Sequence, residues 1–521
     1  MGIVSDKRET LEKEEEFHMV VIALDLGNFK SFPCFIADFD ESTRLGGEVH
    51  DLLPPRLPDG IPSVYFYSKE IGELCGELAV RSVATPLENR LRYLKRHLGE
   101  TVTIEDRKIA YDDAITAVVQ HCIRSANRQL HVGWQLSTNL VSLSYPATYL
   151  GSQREHLIRL VERATLEDGT HLKVIGTIAE PAAAALDYLA EHAKTDRETV
   201  VLTYDLGGGT FDLALVAAYP KGRKNAAGEV RYYEVIDTDG IPNLGGVDFD
   251  KVLCERFHAA IGEPLSEDRE EALRELAETT KVELSSYDRS LPTFEVGGRY
   301  VRLPVTREEF EKGSRELLQK TVEKTRRFLE KHPNQKPDFI LLSGGGSEMP
   351  MVSRALSEAL PDYRILSHNP SRAIAYGAAR YGTTEINDDP VLTQHIKYDI
   401  GVRFYEGPDD EDGYIETYLP AGTELPFDGE YHHSHTLGQQ RCSAFTVFEA
   451  CVDQPDAHRV RRDYREIMEV ILDHEREVPP GTKNKSRIQI DRTGRLTIEA
   501  RMLDKPDKAP AVQSVVLKNL S

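Results

Sequence analysis

The chain has 521 residues, of which 40% are hydrophobic and 29% are charged, so it is long enough for two to four globular domains. Its 86 acidic and 64 basic residues give a net charge of −22, which disfavours nucleic acid as a partner because phosphate backbones are also negative. The longest apolar runs have the length of a β-strand, far below the roughly 20 residues that cross a bilayer, so no membrane partner is expected.

The first 17 residues, MGIVSDKRETLEKEEEF, are charged and lack the apolar centre of a signal peptide. We expect residues 1–17 to form a charged flexible tail and the protein to be cytoplasmic. The six cysteines are scattered without a Cys-x-x-Cys pair, which favours small buried apolar side chains over disulfides or a zinc site.

One pattern occurs twice along the chain. VVIALDLGNFKSFPCFI (20–36) and VVLTYDLGGGTFDLALV (200–216) each run from an apolar strand through Asp-Leu-Gly into a second apolar strand. Such a turn places a carboxylate at a strand end, beside N–H groups that attract anions. Two such turns facing each other predict two related lobes that hold a polyphosphate, with Mg²⁺ at Asp25 and Asp205.

The rest of the chain divides into two regions. Between residues 18 and 386, strand and helix patterns alternate, which predicts an α/β domain, and a third glycine run, Gly344–Gly346, follows a strand and is expected to wall the same cleft. Residues 387–397 are predicted to form a linker. Residues 398–521 carry short alternating runs that predict an all-β sandwich, in which IQIDRTGRLTIEA forms a hairpin around Gly494.

Eight segments in chain order resemble the ATPase domain of the seventy-kilodalton heat-shock chaperones, which belong to the actin-like ATPase superfamily. They include ALDLGNFKS, RYLKRHLG, IAEPAAAALDYL and, as the closest match, YDLGGGTFDLAL. The resemblance implies a two-lobed α/β domain of the actin-like (ribonuclease H-like) type over residues 18–386. The all-β region stands where the family carries its peptide-binding domain, and we expect no helical lid after it.

The resemblance also implies roles for individual residues around ATP or ADP and Mg²⁺. The catalytic roles fall on Lys95, Glu180, Asp205 and Thr210, and the water shell of Mg²⁺ falls on Asp25, Glu180 and Asp205. The implied nucleotide-binding residues are Asp25, Gly27, Asn28, Phe29, Lys30, Gly207, Gly208, Gly209, Thr210, Gly245, Gly246, Glu278, Lys281, Ser285, Gly344, Gly345 and Gly346. Taken without the resemblance, Lys95 is an ordinary solvated cation and Glu180 a helix N-terminal charge, and Asp212 is assigned a structural role.

The chain departs from the family pattern where the chemistry is. Asn28 and Phe29 replace two threonines whose hydroxyls contact phosphate and the attacking water, which predicts slow hydrolysis. Val282 and Glu348 replace arginines that stack on the base, which predicts weak binding or an altered choice of base.

Three C-terminal patterns have plain interpretations. The linker offers only Val391, Leu392 and Ile396 as apolar residues, which leaves its docking on the ATPase domain open. HHSH (432–435) is expected to be an exposed loop, and HRVRRDYRE (458–466) a solvated strand edge or loop.

The sequence therefore predicts a divergent chaperone that binds ATP with Mg²⁺ and hydrolyses it slowly. Its expected partners are unfolded polypeptides or one dedicated protein client, with a co-chaperone or exchange factor. The alternative is a nucleotide-binding scaffold or regulator with little or no turnover, which Asn28, Phe29, Val282 and Glu348 favour. A sugar-kinase-like enzyme is disfavoured by the C-terminal β region.

Overall fold

A computed structural model describes residues 20–37, 47–81, 86–149, 151–192, 196–224, 230–386, 392–407, 409–452, 454–491 and 494–517. The charged tail and the first part of the expected linker, 387–391, lie outside these residues. Within them, every helix is too short or too polar to cross a membrane. All six cysteines are free thiols; Cys34 and Cys122 are buried as expected, whereas Cys442 and Cys451 are exposed.

The first lobe, residues 20–192, is built on a six-stranded sheet in the order β11-β10-β1-β2-β3, with β4 also paired to β2. Its central strands are apolar along their length because helices cover both faces. The elements are β1 (Ile22–Leu26), β2 (Lys30–Ile36), β3 (Val49–Asp51), β4 (Ile61–Pro62), β5 (Tyr65–Ser68), β6 (Gly72–Cys75), α1 (Glu77–Arg81), β7 (Arg90–Leu91), β8 (Thr101–Ile104), β9 (Arg107–Ala110), α2 (Tyr111–Trp134), β10 (Leu140–Tyr145), α3 (Gly151–Arg163), β11 (Lys173–Ala179) and α4 (Glu180–His192).

The second lobe, residues 196–386, contains the sheet β20-β19-β12-β13-β14, which β21 extends. Its elements are β12 (Thr199–Leu206), β13 (Phe211–Lys224), β14 (Val230–Ile241), α5 (Gly246–Ile261), α6 (Glu267–Ser286), β15 (Arg289–Ser290), β16 (Thr293–Val296), β17 (Arg299–Arg302), β18 (Val305–Thr306), α7 (Arg307–Lys331), β19 (Phe339–Ser343), α8 (Pro350–Ala359), β20 (Arg364–Ser367) and α9 (Ala373–Ile386). Helix α6 begins directly after Ser266.

The two sheets have the same topology. In each, the first strand is antiparallel to the next strand of the chain, β1 to β2 and β12 to β13. In each, that first strand is also parallel to a later one, β1 to β10 and β12 to β19. Asp25 and Asp205 therefore lie at the same end of matching strands. The strand–Asp–Leu–Gly pattern occurs twice because each sheet contains one such strand.

Helices α4 and α9 pack against each other; α9 lies on strands of the first sheet, and α4 lies mainly on β12 and β13 of the second. Gly377 of α9 lies so close to α4 that a Cβ there would collide with the carbonyl oxygen of Ala183. This close crossing needs glycine. It fixes α4, and therefore fixes Glu180, the first residue of that helix.

The C-terminal region is a β-sandwich of two sheets, β23-β22-β26-β27 and β24-β28-β29-β30, with β25 also on β28. Its core contains Val402, Val447 and Ile498. The elements are β21 (Leu392–Thr393), β22 (Ile400–Phe404), β23 (Tyr414–Leu419), β24 (Phe427–Asp428), β25 (His432–His435), β26 (Gln440–Ala450), α10 (Val460–Asp463), β27 (Tyr464–Val478), β28 (Lys483–Ile490), β29 (Arg495–Met502) and β30 (Ala511–Val516).

Some expectations for this region are confirmed and others are wrong. The β28–β29 hairpin around Gly494 is present, and Gly494 has the positive φ of 75° that favours glycine. HHSH is a strand instead of a loop, because β25 pairs with β28 and His432 stacks on Tyr418. Within HRVRRDYRE, the short helix α10 precedes β27.

The described part of the linker is docked on the second lobe. Leu392 and Thr393 form β21, which pairs in parallel with β14, and Leu392 and Ile396 are buried. His395 Nε2 lies 3.1 Å from Glu234 Oε1, and Lys397 Nζ lies 2.7 Å from Asp237 Oδ1. Two apolar residues, two ion pairs and backbone hydrogen bonds are thus sufficient to seat this short segment.

Candidate nucleotide site

Asp25 and Asp205 line the cleft between the two sheets, and both are buried. Ser144 at the end of β10 donates a hydrogen bond of 3.0 Å from Oγ to Asp25 Oδ1. The turn after Asp25 is tight, since a Cβ on Gly27 would collide with the carbonyl oxygen of Lys30. The glycine turn therefore holds the first aspartate at the mouth of its strand, as the sequence predicts.

Lys95 and Glu180 form a buried ion pair, with Lys95 Nζ 2.6 Å from Glu180 Oε1. Lys95 belongs to a 3₁₀-helix, Leu94–His97, and Tyr149 Oη donates to its carbonyl oxygen at 3.0 Å. Burial lowers the pKa of Lys95, but the charges of Glu180, Tyr149 and Asp25 outweigh burial and raise the pKa above its usual value. Lys95 is therefore a fixed cation in the cleft and not a solvated surface residue.

Asp212 joins the same group of carboxylates. It lies opposite Asp205 in the β12–β13 hairpin, and carboxylate oxygens of Glu180, Asp205 and Asp212 lie within 4.8 Å of one another. The backbone N–H of Thr148 donates to Asp212 Oδ1 at 2.9 Å. Asp205 Oδ1 and Asp212 Oδ2 are buried and have no hydrogen-bond partner among the described residues. The sequence assigned Asp212 only a structural role, whereas the structure places its carboxylate beside those of Glu180 and Asp205.

Burial and mutual repulsion raise the pKa of the three aspartates, Asp25, Asp205 and Asp212. Burial and the charge of Glu180 raise the pKa of Asp25 and of Asp212 to about 7 and raise that of Asp205 well above its usual value. Four acidic groups surround one lysine here, and two of their oxygens lack donors. This donor set fits a hydrated Mg²⁺, which prefers oxygen ligands and would remove the repulsion.

The space above the second glycine loop is filled by side chains of the first loop. A Cβ on Gly208 would lie 2.5 Å from Cδ2 of Phe29, and a Cβ on Gly209 would collide with Nδ2 of Asn28. The Phe29 ring also makes an edge contact with Tyr93, with centroids 5.2 Å apart, and lies below Lys281 Nζ. The phosphate half of the site therefore fits a nucleotide only after these two side chains move.

The loop before α5 closes over the second glycine loop. The backbone N–H groups of Gly246 and Val247 donate to the carbonyl oxygens of Gly207 and Gly208, at 2.9 and 3.0 Å. A Cβ on Gly245 would lie 2.7 Å from the Thr210 nitrogen. Two of the free N–H groups at this helix start, which commonly bind phosphate, are thus used within the protein.

Arginines of the first lobe reach across the cleft to the second lobe. Arg96 donates to the carbonyl oxygen of Gly209 and to Asp248 Oδ2, both at 2.6 Å. Arg92 donates to Glu278 Oε2 at 2.6 Å, and Arg90 and Arg92 both lie 3.4 Å from Glu275 Oε1. We call Arg90, Arg92 and Arg96 the arginine bridge. Sequence analysis did not identify it, although Arg96 adjoins Lys95 in RYLKRHLG.

A cavity of about 980 Å³ lies beside the arginine bridge, between this segment and helices α5 and α6. It is lined by all three arginines and by Asp248 and Asp250, but not by Asp25 or Asp205. The open cavity therefore lies on one side of the arginine bridge, and Asp25 and Asp205 do not face it.

Glu278, Lys281 and Ser285, which are expected at the adenosine, follow one another at helical spacing on α6. Lys281 Nζ lies 2.7 Å from Asp250 Oδ1, Ser285 Oγ donates to the Lys281 carbonyl oxygen, and Glu278 binds Arg92. Val282 and Glu348, at the positions of the stacking arginines, are exposed. Lys30 is exposed at the start of β2.

The third glycine loop lies against the end of β12. A Cβ on Gly344 would collide with Asp205 Oδ1, and one on Gly346 would lie 2.7 Å from the Leu206 carbonyl oxygen. Gly345 faces open space. The structure thus brings this loop to Asp205, as expected for a wall of the cleft.

The described residues define a two-lobed α/β protein with an acidic cleft, joined to a β-sandwich. Comparison with known proteins agrees: the model of the Hsp70 protein family matches residues 114–392. The chaperone protein DnaK of Thermotoga petrophila is 32% identical over 394 residues, which cover 70% of this chain and 60% of the relative, and DnaK of Thermotoga maritima gives the same values. The chain therefore belongs to the Hsp70 family, and it matches about 60% of the length of these curated relatives.

Proposed function

We propose that this protein is a divergent Hsp70-type chaperone that binds ATP with Mg²⁺ in the cleft and hydrolyses it slowly. One observation carries the proposal: Asp25, Lys95, Glu180 and Asp205 come from four separate segments and converge between two matched sheets. A fold that needed only stability would not bury several carboxylates of like charge together, because their repulsion disfavours folding.

The protein side of the mechanism follows from the same residues. ATP supplies a γ-phosphoryl group, whose transfer to water depends mainly on positioning and charge neutralisation. Asp25, Glu180, Asp205 and Asp212 would hold the water shell of Mg²⁺, and Ser144 orients Asp25 for that purpose. Lys95 would keep a positive charge near the reacting phosphate. Thr210 and the N–H groups of Gly207–Gly209 would bind phosphate oxygens once Phe29 has moved.

The β-sandwich is proposed to hold unfolded polypeptides or one dedicated protein client, as the relatives' printed name, chaperone, suggests. A co-chaperone or exchange factor is the proposed second partner, and the cytoplasm the proposed location. The docked linker supports communication between the cleft and the sandwich, since β21 is part of the sheet that carries Asp205.

The second candidate function is a nucleotide-binding scaffold or regulator with little or no turnover. The position of Phe29 and Asn28 against Gly208 and Gly209 favours it, because these side chains occupy the place where phosphate would be bound.

Phosphate release and calorimetry distinguish the two functions. For an ATPase, the wild-type protein releases phosphate faster than Asp205→Asn, which lacks one metal-facing carboxylate. Equal background rates, together with heat of binding for Mg²⁺-ADP, leave only the scaffold. If millimolar Mg²⁺-ADP and Mg²⁺-ATP give no heat of binding with the wild-type protein, both functions are excluded.

A further inference from the structure

A second cluster of metal-ligating side chains lies at the opposite end of α4 from Glu180. Glu191, His192 and His368 each offer one ligand atom, and these atoms lie within 4.8 Å of one another. Glu191 and His192 end α4, and His368 directly follows β20. Because twelve helical steps span about 18 Å, this cluster is separate from the carboxylates of the cleft.

A buried carboxylate points into the cluster. Asp187 is fully buried, and its Oδ2 faces His368 Nε2 at 3.4 Å as a carboxylate–imidazole pair; neither atom has a further hydrogen-bond partner among the described residues. His368 Nε2 is also 3.7 Å from Glu191 Oε2. Ligands placed 2.0–2.1 Å from a tetrahedral zinc ion are about 3.3 Å from one another, so the distance between His368 and Glu191 is close to that of a zinc site.

Other residues orient these side chains as the outer shell of a metal site does. His192 Nδ1 lies 3.1 Å from the Tyr188 carbonyl oxygen, which directs Nε2 away from the helix. Arg380 donates to Asp187 Oδ1 at 3.0 Å and to Glu191 Oε1 at 3.2 Å, which leaves Oδ2 and Oε2 facing His368. The Tyr188 ring stacks on His192 and meets His368 edge-on. Hydrogen bonds to carbonyls and to ligating carboxylates are characteristic of metal centres.

We propose that Glu191, His192 and His368 bind a zinc ion, with the buried Asp187 carboxylate beside His368. Two imidazoles with carboxylates suit Zn²⁺, whereas Mg²⁺ and Ca²⁺ prefer oxygen ligands alone. Glu191 and His192 are exposed, so the ion can enter from solvent. Bound zinc would join the end of α4 to the segment that follows β20.

Calorimetric titration of the full chain with Zn²⁺, after removal of metals with EDTA, tests this site. We expect one zinc ion per chain, and His192→Ala and His368→Ala should each weaken binding by about tenfold or more. His433→Ala in β25 removes a histidine elsewhere and should keep the wild-type affinity. Asp205→Asn should also keep it, which separates this site from the carboxylates of the cleft.

Two results would overturn the proposal. One is the absence of stoichiometric zinc binding by the wild-type chain; the other is equal affinity in the wild type and both variants. In either case the cluster is an ion-pair network around Arg380 and nothing more. His192 is exposed, so its variant is expected to fold, and circular dichroism checks this. The visible absorption of bound Co²⁺ gives a second measurement, because tetrahedral nitrogen and oxygen ligation has strong bands that both variants should lose.

Discussion

At the scale of single residues, Phe29 determines whether the space above the second glycine loop is open to a ligand. The family has a threonine at the position of Phe29. Here the Phe29 ring lies against Gly208, so the loop after β1 touches the loop after β12 through this side chain. The hairpin that carries Phe29 is otherwise regular, with Asp25 paired to Phe32 across β1 and β2. Replacing the ring therefore changes the contents of the cleft without changing the strands.

We predict that Phe29→Thr strengthens binding of Mg²⁺-ADP by about tenfold or more, because the ring no longer has to be displaced. With Asn28→Thr added, phosphate release should rise, since one transition-state hydrogen bond is worth roughly a hundredfold in rate. Calorimetry and phosphate release measure the two effects. Lys108→Thr, at an exposed residue of β9, serves as the control; equal affinity in all variants would show that the ring is no obstacle.

The buried pair of Lys95 and Glu180 predicts a non-additive effect on stability. Lys95→Met alone should lower the free energy of unfolding by about 3–5 kcal/mol, because it leaves the buried carboxylates without the lysine that they surround. Glu180→Gln should lower it less, because it also relieves repulsion on Asp25, Asp205 and Asp212. The double variant should be more stable than Lys95→Met. Urea unfolding of the four proteins tests this, and additive losses would contradict a direct pair.

The raised pKa values of Asp25 and Asp212 predict a pH dependence of stability without metal. Burial raises both to about 7 in the folded protein, whereas the unfolded value is 3.8. Between these values the folded state holds more protons, so the free energy of unfolding falls as pH rises and levels off above about pH 7.

Each of the two groups adds a slope of up to ~1.4 kcal/mol per pH unit. Urea unfolding in EDTA between pH 5 and 7 should show the decline, and Asp212→Asn should reduce it. Asp106→Asn, at an exposed side chain, should leave it unchanged. A stability that increases with pH over this range would refute the assignment.

At the scale of elements, local sequence patterns predicted the hairpins, whose two strands are close together in the chain. The β1–β2 and β12–β13 hairpins and the hairpin at Gly494 follow from alternation and turn glycines. Asp212 was within reach of the same reasoning, since a hairpin through Gly207–Gly209 places it opposite Asp205. The strand formed by HHSH could not be predicted in this way, because it pairs with β28, about 50 residues further along the chain.

The docked linker strand predicts that one charge reversal loosens the linker from the second lobe. Asp237 accepts contacts from Lys331, His332 and Lys397, so Lys397→Glu removes one cation and adds repulsion. Limited proteolysis between residues 386 and 400 should become about tenfold faster, which corresponds to about 1.4 kcal/mol. Lys320→Glu on the exposed face of α7 should cleave at the wild-type rate. An unchanged rate for Lys397→Glu would mean that β21 alone holds the linker.

At the scale of the whole molecule, the arginine bridge holds the two lobes together through pairs that are distant in sequence. Arg92 and Glu278 are separated by 186 residues, which is why no sequence pattern revealed the contact. The converging carboxylates could be predicted because the strand–Asp–Gly pattern marks them. The closure of the cleft could not, since it depends on side-chain packing across both lobes.

Arg92→Ala should open the cleft by removing its contacts to Glu271, Glu275 and Glu278. Hydrogen exchange at the Gly207–Gly209 loop should then become about tenfold faster or more, because the protecting closed state is less populated. Arg128→Ala breaks an exposed pair with Glu167 and should have no effect on this loop. Identical exchange in all three proteins would assign the closure to the loops themselves.

The side chains of Phe29 and Asn28 occupy the space beside Gly208 and Gly209 and would therefore compete with a ligand for it. Under the proposed function, a nucleotide would bind only the fraction of molecules in which the two side chains have moved aside, so the apparent dissociation constant would equal the intrinsic one divided by that fraction. If one molecule in about a hundred is open, affinity drops about a hundredfold, and any partner that pulls the loop outward raises nucleotide uptake without touching the nucleotide.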